Sequence, residues 1–264
     1  MKPLNFRLQV AEPAHYDDLN RIWSLVYQGV LPTEPLQAPD ENEVYYLGLL
    51  NDQPASAAQV QNFRVHRGES VISCGGVAGV ATLTEYRQTG AATAFIEALL
   101  PEMASRGHVI SSLYAFKESY YRKFGYETCG WRWKISCPQS RFPRPSVTLP
   151  VRQIAPEDVE ALDGAYLPFI AARSGSCVRS LADWKHRLGK KTPMIYAVGD
   201  PVEGYFWGSM EQFWGDLTIG EMAWGTKRGY ESLLGVMAGM GSNQSRIIWN
   251  EPPDSPFRSE EHTF

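Results

Sequence analysis

The stretch TEYRQTGAATAFIEALL, Thr84 to Leu100, sets Arg87, Gly90 and Ala92 between an apolar strand-like run and an apolar helix-like one. That spacing suits an anion. The first amides of a helix have no intrahelical partners, and the helix dipole adds roughly half a positive charge there. Gly90, Ala91 and Ala92 carry little or no side chain, so a phosphate can approach those amides closely. Arg87 supplies a permanent charge beside them, and Gln88, Thr89 and Thr93 complete the turn. A pyrophosphate is the natural guest. Other phosphate motifs fit worse: GGVAG (Gly75–Gly79) is not G-x-G-x-x-G, and G-x-x-x-x-G-K-[ST] is absent. The plain alternative is that Gly90 only turns the chain and Arg87 is a solvated charge.

Other chemistry is weakly supported. The five histidines, His15, His66, His108, His186 and His262, lack metal-site spacing, and no metal is expected. His15 beside Asp17 and Asp18 reads as helix-start polarity. No G-x-S-x-G elbow occurs. Cys74 lies on an apolar run and reads as core. The four cysteines are scattered without C-x-x-C spacing, which fits reduced thiols in a cytoplasmic protein. No apolar run has the length of a signal peptide or a membrane span, so no membrane partner is expected. A net charge of −4 argues against a nucleic-acid partner, which needs a basic face.

The 264 residues suggest two domains, since a domain usually takes ~100–200. FRLQV reads as a strand. Pro13 then opens a helix with Leu19, Ile22, Trp23, Val26 and Tyr27 on one face. A hairpin turning near Asn51-Asp52 follows, then the strand ESVISCGGVAGVATL and a helix from Gly90 to Gly107. VISSLYAF is the next strand, KESYYRKFGY a short helical piece, and ETCGWRWKIS a last strand on which Trp131 and Trp133 alternate. A proline-rich stretch, residues 138–150, reads as a linker. Beyond it the opening theme returns: VRQIAPEDVEALDGAYLPFIAA, and later the strand GDLTIGEMAW running into GTKRGYESLLGVMAGM. The Gly-rich GVMAGMGS there reads as helix packing and a C-cap. The expectation is a first module over 1–137 and a second, degenerate one over 151–264.

The pairing of EYRQTGAA with the downstream YRKFGY, over roughly Leu8 to Ile135, resembles the GCN5-related N-acetyltransferase (GNAT) family. LYAFKESYYRKFGYE, the doubled module and RSGSCVRSLADWKHRL narrow the resemblance to the Eis-type acetyltransferases. The resemblance implies an α/β (α+β) fold of two tandem modules, each a mixed twisted sheet flanked by helices. It implies acetyl-CoA as cosubstrate, with its pyrophosphate on residues 87–93 and its pantetheine and acetyl end along the second motif, near Phe116 and Lys117. The acceptor is then a primary amine of a small cationic molecule or a lysine side chain. Asp17, Glu34, Glu85 and Glu118 are acids that would draw a cation.

The resemblance assigns the oxyanion donor to a backbone N–H around Val80, Ala81 and Thr82. It assigns the general acid to Tyr121, with Tyr120 and Tyr126 read as packed aromatics. Taking ~10 for tyrosine and ~8.5 for a thiol, full proton transfer is uphill by roughly 2 kcal/mol. Tyr121 therefore either has a lowered pKa or mainly hydrogen-bonds the thiolate. Eis-type proteins use a C-terminal carboxylate as base, delivered by a third domain. Here the Phe264 carboxylate is not expected to reach the site, and the sequence reads as a truncated or fragmentary member, or one that uses water. Related proteins assemble as rings, so a homo-oligomer is compatible with the resemblance. Two other readings stay open: a catalytically impaired acyl-CoA-binding or sensor protein, and a transferase for a longer acyl group.

Overall fold

The structure is a computed structural model that describes residues 4–188, 194–210, 212, 214–240 and 243–257. His262 and Phe264 lie outside the described residues, as does the Gly241-Ser242 pair of the expected C-cap, and the His186 side chain is likewise not described. The chain divides into two units, one of Met1–Val65 with Ser70–Thr128, the other of His66–Glu69 with the chain from Cys129 onward. Each is a mixed sheet flanked by helices, the α+β architecture expected of two tandem modules.

The first unit opens with β1 (Phe6–Val10) and α1 (Tyr16–Trp23), the latter preceded by a short 3-10 turn at Pro13. Then come β2 (Glu43–Leu50), β3 (Gln53–Arg67) and β4 (Ser70–Thr82). β2 and β3 form the expected hairpin, with Asn51 and Asp52 both at positive φ in its turn. α2 (Ala91–Ser105), β5 (Ile110–Leu113) and α3 (Glu118–Tyr121) complete the unit, and the strands run in the order β1-β2-β3-β4-β5. β4 and β5 are parallel, with α2 as the crossover between them. α2 buries Ala91, Phe95, Ile96, Leu99 and Met103, spaced to lie on one side of a helix. Phe95, Ile96, Leu99 and Met103 pack on Tyr46, Ala58, Val60 and Val77 of the sheet, and Ala91 on Leu50 and Ala55. α1 buries Leu19 and Ile22 against Tyr45 and Leu47, which fixes where its exposed-side aromatics reach.

The second unit contains β6 (Trp133–Pro138), β7 (Val151–Gln153), α4 (Asp163–Ala171), β8 (Cys177–Val178) and α5 (Leu181–Leu188), followed by β9 (Met194–Val198) and β10 (Gly204–Met210). β11 (Leu217–Trp224), α6 (Lys227–Met240) and β12 (Arg246–Glu251) close it. The strand order is β6-β12-β11-β10-β9-β7, with β11 and β12 parallel across α6. The β11–α6–β12 crossover thus repeats the β4–α2–β5 one. Within this unit the His66 N–H donates to Ser176 O, beside β8.

Two sequence expectations change here. The strand expected to close the first module at Cys137 pairs antiparallel with β12 instead, Ile135 opposite Trp249 and Cys137 opposite Ile247. Ile135 and Cys137 pack into the second core while Trp131 and Trp133 are exposed, so the chain passes into the second unit at Cys129. The proline-rich stretch is not a free tether. Phe142 is buried edge-on to Trp249, Thr148 N–H donates to Ser232 Oγ, and Gly235 of α6 leaves room for the Pro145 carbonyl, 2.6 Å from where a Cβ would stand.

Candidate functional site

β4 and β5 pair only from Cys74/Ile110 to Val77/Leu113, and β4 continues to Thr82 beside β3 but beyond its last β5 partner. Its free edge is held by side chains. The Trp23 indole N–H donates to Gly79 O at 2.6 Å, and Tyr27 Oη–H donates to Val80 O at 2.8 Å. Successive carbonyls of a regular strand face opposite edges. Gly79 at φ +61° breaks that alternation and turns both toward the same helix. Tyr27 stands on a π-helical turn, Ser24–Gln28, that extends α1; such turns are rare and recur at functional sites. Val80, Ala81 and Thr82 therefore follow a distorted strand segment, with the Ala81 side chain buried.

Past Thr82 the chain makes a 3-10 turn at Thr84–Tyr86 and then the turn proposed for an anion. Gln88 (φ 63°) and Gly90 (φ 95°) both take left-handed backbone before α2 starts at Ala91. Thr89 ties the turn, donating from Oγ1 to Tyr86 O at 2.7 Å and lying 3.4 Å from the Ala91 amide. Arg87 is exposed, with Nε donating to Thr82 O at 3.3 Å. A cleft of about 210 Å³ opens here, and Thr82, Arg87, Gln88, Gly90, Ala92 and Thr93 all line it. Tyr86 and Tyr120 line it too, and sequence reasoning missed both. The Ala91 side chain instead enters the core. Lys117 and Phe116 precede α3, Phe116 being 77% exposed with its ring against Tyr120 and Tyr121.

Tyr121 is buried, edge-on to Tyr120 at 5.0 Å and to Tyr126 at 5.9 Å. Burial, and then the neighbouring Tyr120, Tyr27 and Tyr126, push its pKa up to about 12. This direction runs against the lowered-pKa alternative left by the sequence. Tyr126 is held by Ser111 Oγ at 2.7 Å, consistent with a packed aromatic.

The remaining candidates carry no site. Both ring nitrogens of His15 are engaged, by Gln9 Nε2 and the Glu12 amide, at the start of the helical segment. Cys74 is buried against Ser112, with its thiol pKa raised by burial. Glu85 pairs with Arg21 at 3.8 Å. Among the described residues no group of three or more His, Cys, Asp or Glu is placed to hold a metal ion, and no helix is long and apolar enough to cross a membrane. A larger cavity, about 410 Å³, lies in the second unit between Phe169, Trp224 and Tyr230. Its cations are already engaged: Arg173 by Asp254 and the Phe169 carbonyl, Lys227 by Glu231.

At the turn between β11 and α6, the counterpart of residues 87–93, the chain supplies its own anion. The Glu203 carboxylate accepts from Thr226 Oγ1 at 2.7 Å and from Arg228 Nε at 2.6 Å, and these donors hold its pKa down. Thr226 Oγ1 in turn caps the Gly229 amide at 3.0 Å.

A parallel β4–α2–β5 crossover, repeated in tandem as β11–α6–β12, defines the GNAT class of fold. Residues 7–129 match the family model described as an acetyltransferase (GNAT) domain. In fold the chain resembles GNAT proteins, an Eis protein among them. A GCN5-related N-acetyltransferase from Anabaena variabilis superposes with TM-score 0.81 at 20% identity, covering 97% of this chain and 68% of that one. A probable N-acyltransferase from Enterococcus faecalis gives 0.80 at 18% identity, covering 93% and 65%. Eis1 from Mycobacterium abscessus gives 0.72 at 18% identity, covering 95% and 67%. The chain thus spans about two thirds of the length of these structures. The sequence matches no curated protein.

Proposed function

We propose that the first unit binds acetyl-CoA in the cleft at residues 82–93 and transfers its acetyl group to a primary amine, of a small cationic molecule or a lysine side chain. The observation that carries this is the cleft itself, in which an arginine, a left-handed glycine and the first turn of α2 at Ala92 and Thr93 converge inside the stretch matching the acetyltransferase domain. The second unit is read as non-binding, because Glu203 occupies Thr226 and Arg228 at its corresponding turn.

The cosubstrate would supply a thioester carbonyl for attack by a neutral amine, the C–N bond forming as the C–S bond breaks, with CoA thiolate leaving and the amine's proton passing to water. The α2 amides and Arg87 would hold its pyrophosphate. The segment Val80–Thr82, beyond the last β5 partner, is where a backbone N–H would meet the developing oxyanion. Tyr121 is neutral throughout the physiological range and acts as a donor. With its pKa at about 12, full proton transfer to a thiolate of ~8.5 is uphill by about 5 kcal/mol. A hydrogen bond to the developing charge contributes about 1.5–3 kcal/mol without that cost.

Tyr121→Phe is therefore expected to lower kcat about 10- to 100-fold with little change in KM for acetyl-CoA. In the wild type the Tyr121 contribution stays flat up to about pH 10. Measuring CoA release across pH 6–10 with a polyamine or aminoglycoside panel checks both points. An unchanged kcat, or an alkaline limb near pH 9 that Tyr121→Phe removes, contradicts the assignment.

A further inference from the structure

Two side chains of α1 and its π-helical extension end on consecutive carbonyls of β4. Trp23 Nε1–H donates to Gly79 O at 2.6 Å and Tyr27 Oη–H to Val80 O at 2.8 Å. Fastening the helix does not require them, because Leu19 and Ile22 are fully buried and already seat α1 on Tyr45, Leu47 and Ala57. The contact is closely fitted all the same. A Cβ on Gly79 would stand 3.1 Å from Trp23 Nε1, and this glycine takes left-handed backbone at φ +61°. The indole ring is itself fixed, edge-on to Tyr45 at 5.2 Å.

These bonds fix the orientation of two peptide groups. A peptide is planar, and in the trans form its N–H points opposite its C=O. Holding Gly79 O therefore sets the direction of the Val80 N–H, and holding Val80 O sets that of the Ala81 N–H. Both amides lie past the last β5 partner, Val77, in the segment where acetyl transfer would place the developing oxyanion. Donation to a carbonyl also polarises its peptide and makes the N–H at the other end a stronger donor. The segment reaches the cleft at Thr82, and Tyr27 is among the neighbours that raise the pKa of Tyr121, so the held peptides adjoin both. We propose that Trp23 and Tyr27 are positioning residues, which fix the Gly79–Val80 and Val80–Ala81 peptide planes and so aim the N–H that meets the oxyanion. The inference rests on the acetyl-transfer reading and deepens it. Aim matters more in the transition state than in the ground state, since full charge develops on the carbonyl oxygen only there. A positioning role therefore appears in kcat and in the polarisation of the bound thioester, a merely structural one in stability.

The test is Trp23→Phe and Tyr27→Phe in the full chain, each keeping an aromatic ring and losing the donor. Acetyl transfer to a polyamine or aminoglycoside panel gives kcat, and calorimetry gives the Kd for acetyl-CoA. Infrared spectra of bound acetyl-CoA, isotope-labelled at the acetyl carbonyl, report how strongly that carbonyl is polarised. Trp23→Phe is expected to lower kcat about 30-fold. Tyr27→Phe is expected to lower it about threefold to tenfold, less because Tyr27 is 60% exposed and water can take over part of its bond. In both, Kd is expected to change by less than about twofold, and the carbonyl band, lowered in the wild type on binding, to move back toward its position in free acetyl-CoA. A kcat that both variants retain overturns the proposal, as does a loss matched by an equal loss of binding or a band that stays in place. If Trp23→Phe does not melt cooperatively, Tyr27→Phe decides alone. A wild type that binds no acetyl-CoA brings down the acetyl-transfer reading and this inference with it. Wild-type transfer that both variants keep overturns the inference alone.

Discussion

Replacing Gly90 by aspartate is expected to weaken acyl-CoA binding about a thousandfold. Two physical effects act at that position. Gly90 holds φ at 95°, a conformation costing an L residue about 1–2 kcal/mol. A carboxylate there would also face the pyrophosphate, and two like charges ~4 Å apart at an effective dielectric of ~20 repel by about 4 kcal/mol. The repulsion alone corresponds to roughly three orders of magnitude in Kd. Space is not the obstacle, because a Cβ at this position meets only Leu4 Cδ2, at 3.7 Å. Gly90→Asn separates the two effects: it has nearly the same shape, tolerates left-handed backbone and carries no charge. Asparagine is expected to lose about tenfold and aspartate far more. Equal calorimetric affinities for wild type and Gly90→Asp would mean that no phosphate sits at this turn.

The largest expected effect on stability lies in the second unit. Arg179 is nearly buried, its guanidinium stacked on Tyr166 at 4.3 Å and on Trp184 at 4.5 Å. Glu221 accepts both of its terminal nitrogens at 2.7 Å, and also accepts from Tyr205 Oη at 2.8 Å and Arg187 at 3.0 Å. Glu221→Ala leaves a buried cation without a counter-charge and is expected to destabilise the unit by about 3–5 kcal/mol. Arg187 gives little compensation, since it is half exposed and solvated. The double variant Glu221→Leu, Arg179→Met is expected to recover most of the loss, because an apolar pair needs no desolvated charges. Trp184 and Trp207 lie against Arg179, so urea denaturation followed by tryptophan fluorescence reads the affected core directly. A single variant melting like wild type would contradict this account.

Much of this fold was legible because its signals are local. The anion turn is a spacing of three residues in front of a helix, and the Asn51-Asp52 hairpin and the β11–α6 repeat announce themselves in the same way. What the sequence concealed depends on partners distant along the chain. Ile135 and Cys137 alternate as a strand should, but only pairing with Trp249 and Ile247 places them in the second sheet. The prolines of residues 138–150 suggest a tether, yet Phe142 among them is a core residue. Trp23 and Tyr27 read as a helical stripe. Their polar tips at i, i+4 were the available signal that this stripe reaches the β4 carbonyls. Tyr120 looked like packing because its neighbours are aromatic, and only the geometry places it in the wall of the cleft as well. Residue roles at the turn follow from backbone amides, which side-chain patterns mark only indirectly through Gly90 and Ala92.

The most direct test of the central claim is calorimetric titration of the purified chain with acetyl-CoA, accompanied by thermal melts with and without ligand. The account predicts saturable binding at one site per chain. It also predicts stabilisation of about 2.7 kcal/mol at a ligand concentration 100 times Kd. Absence of both heat and stabilisation, in a chain that melts cooperatively, would contradict it.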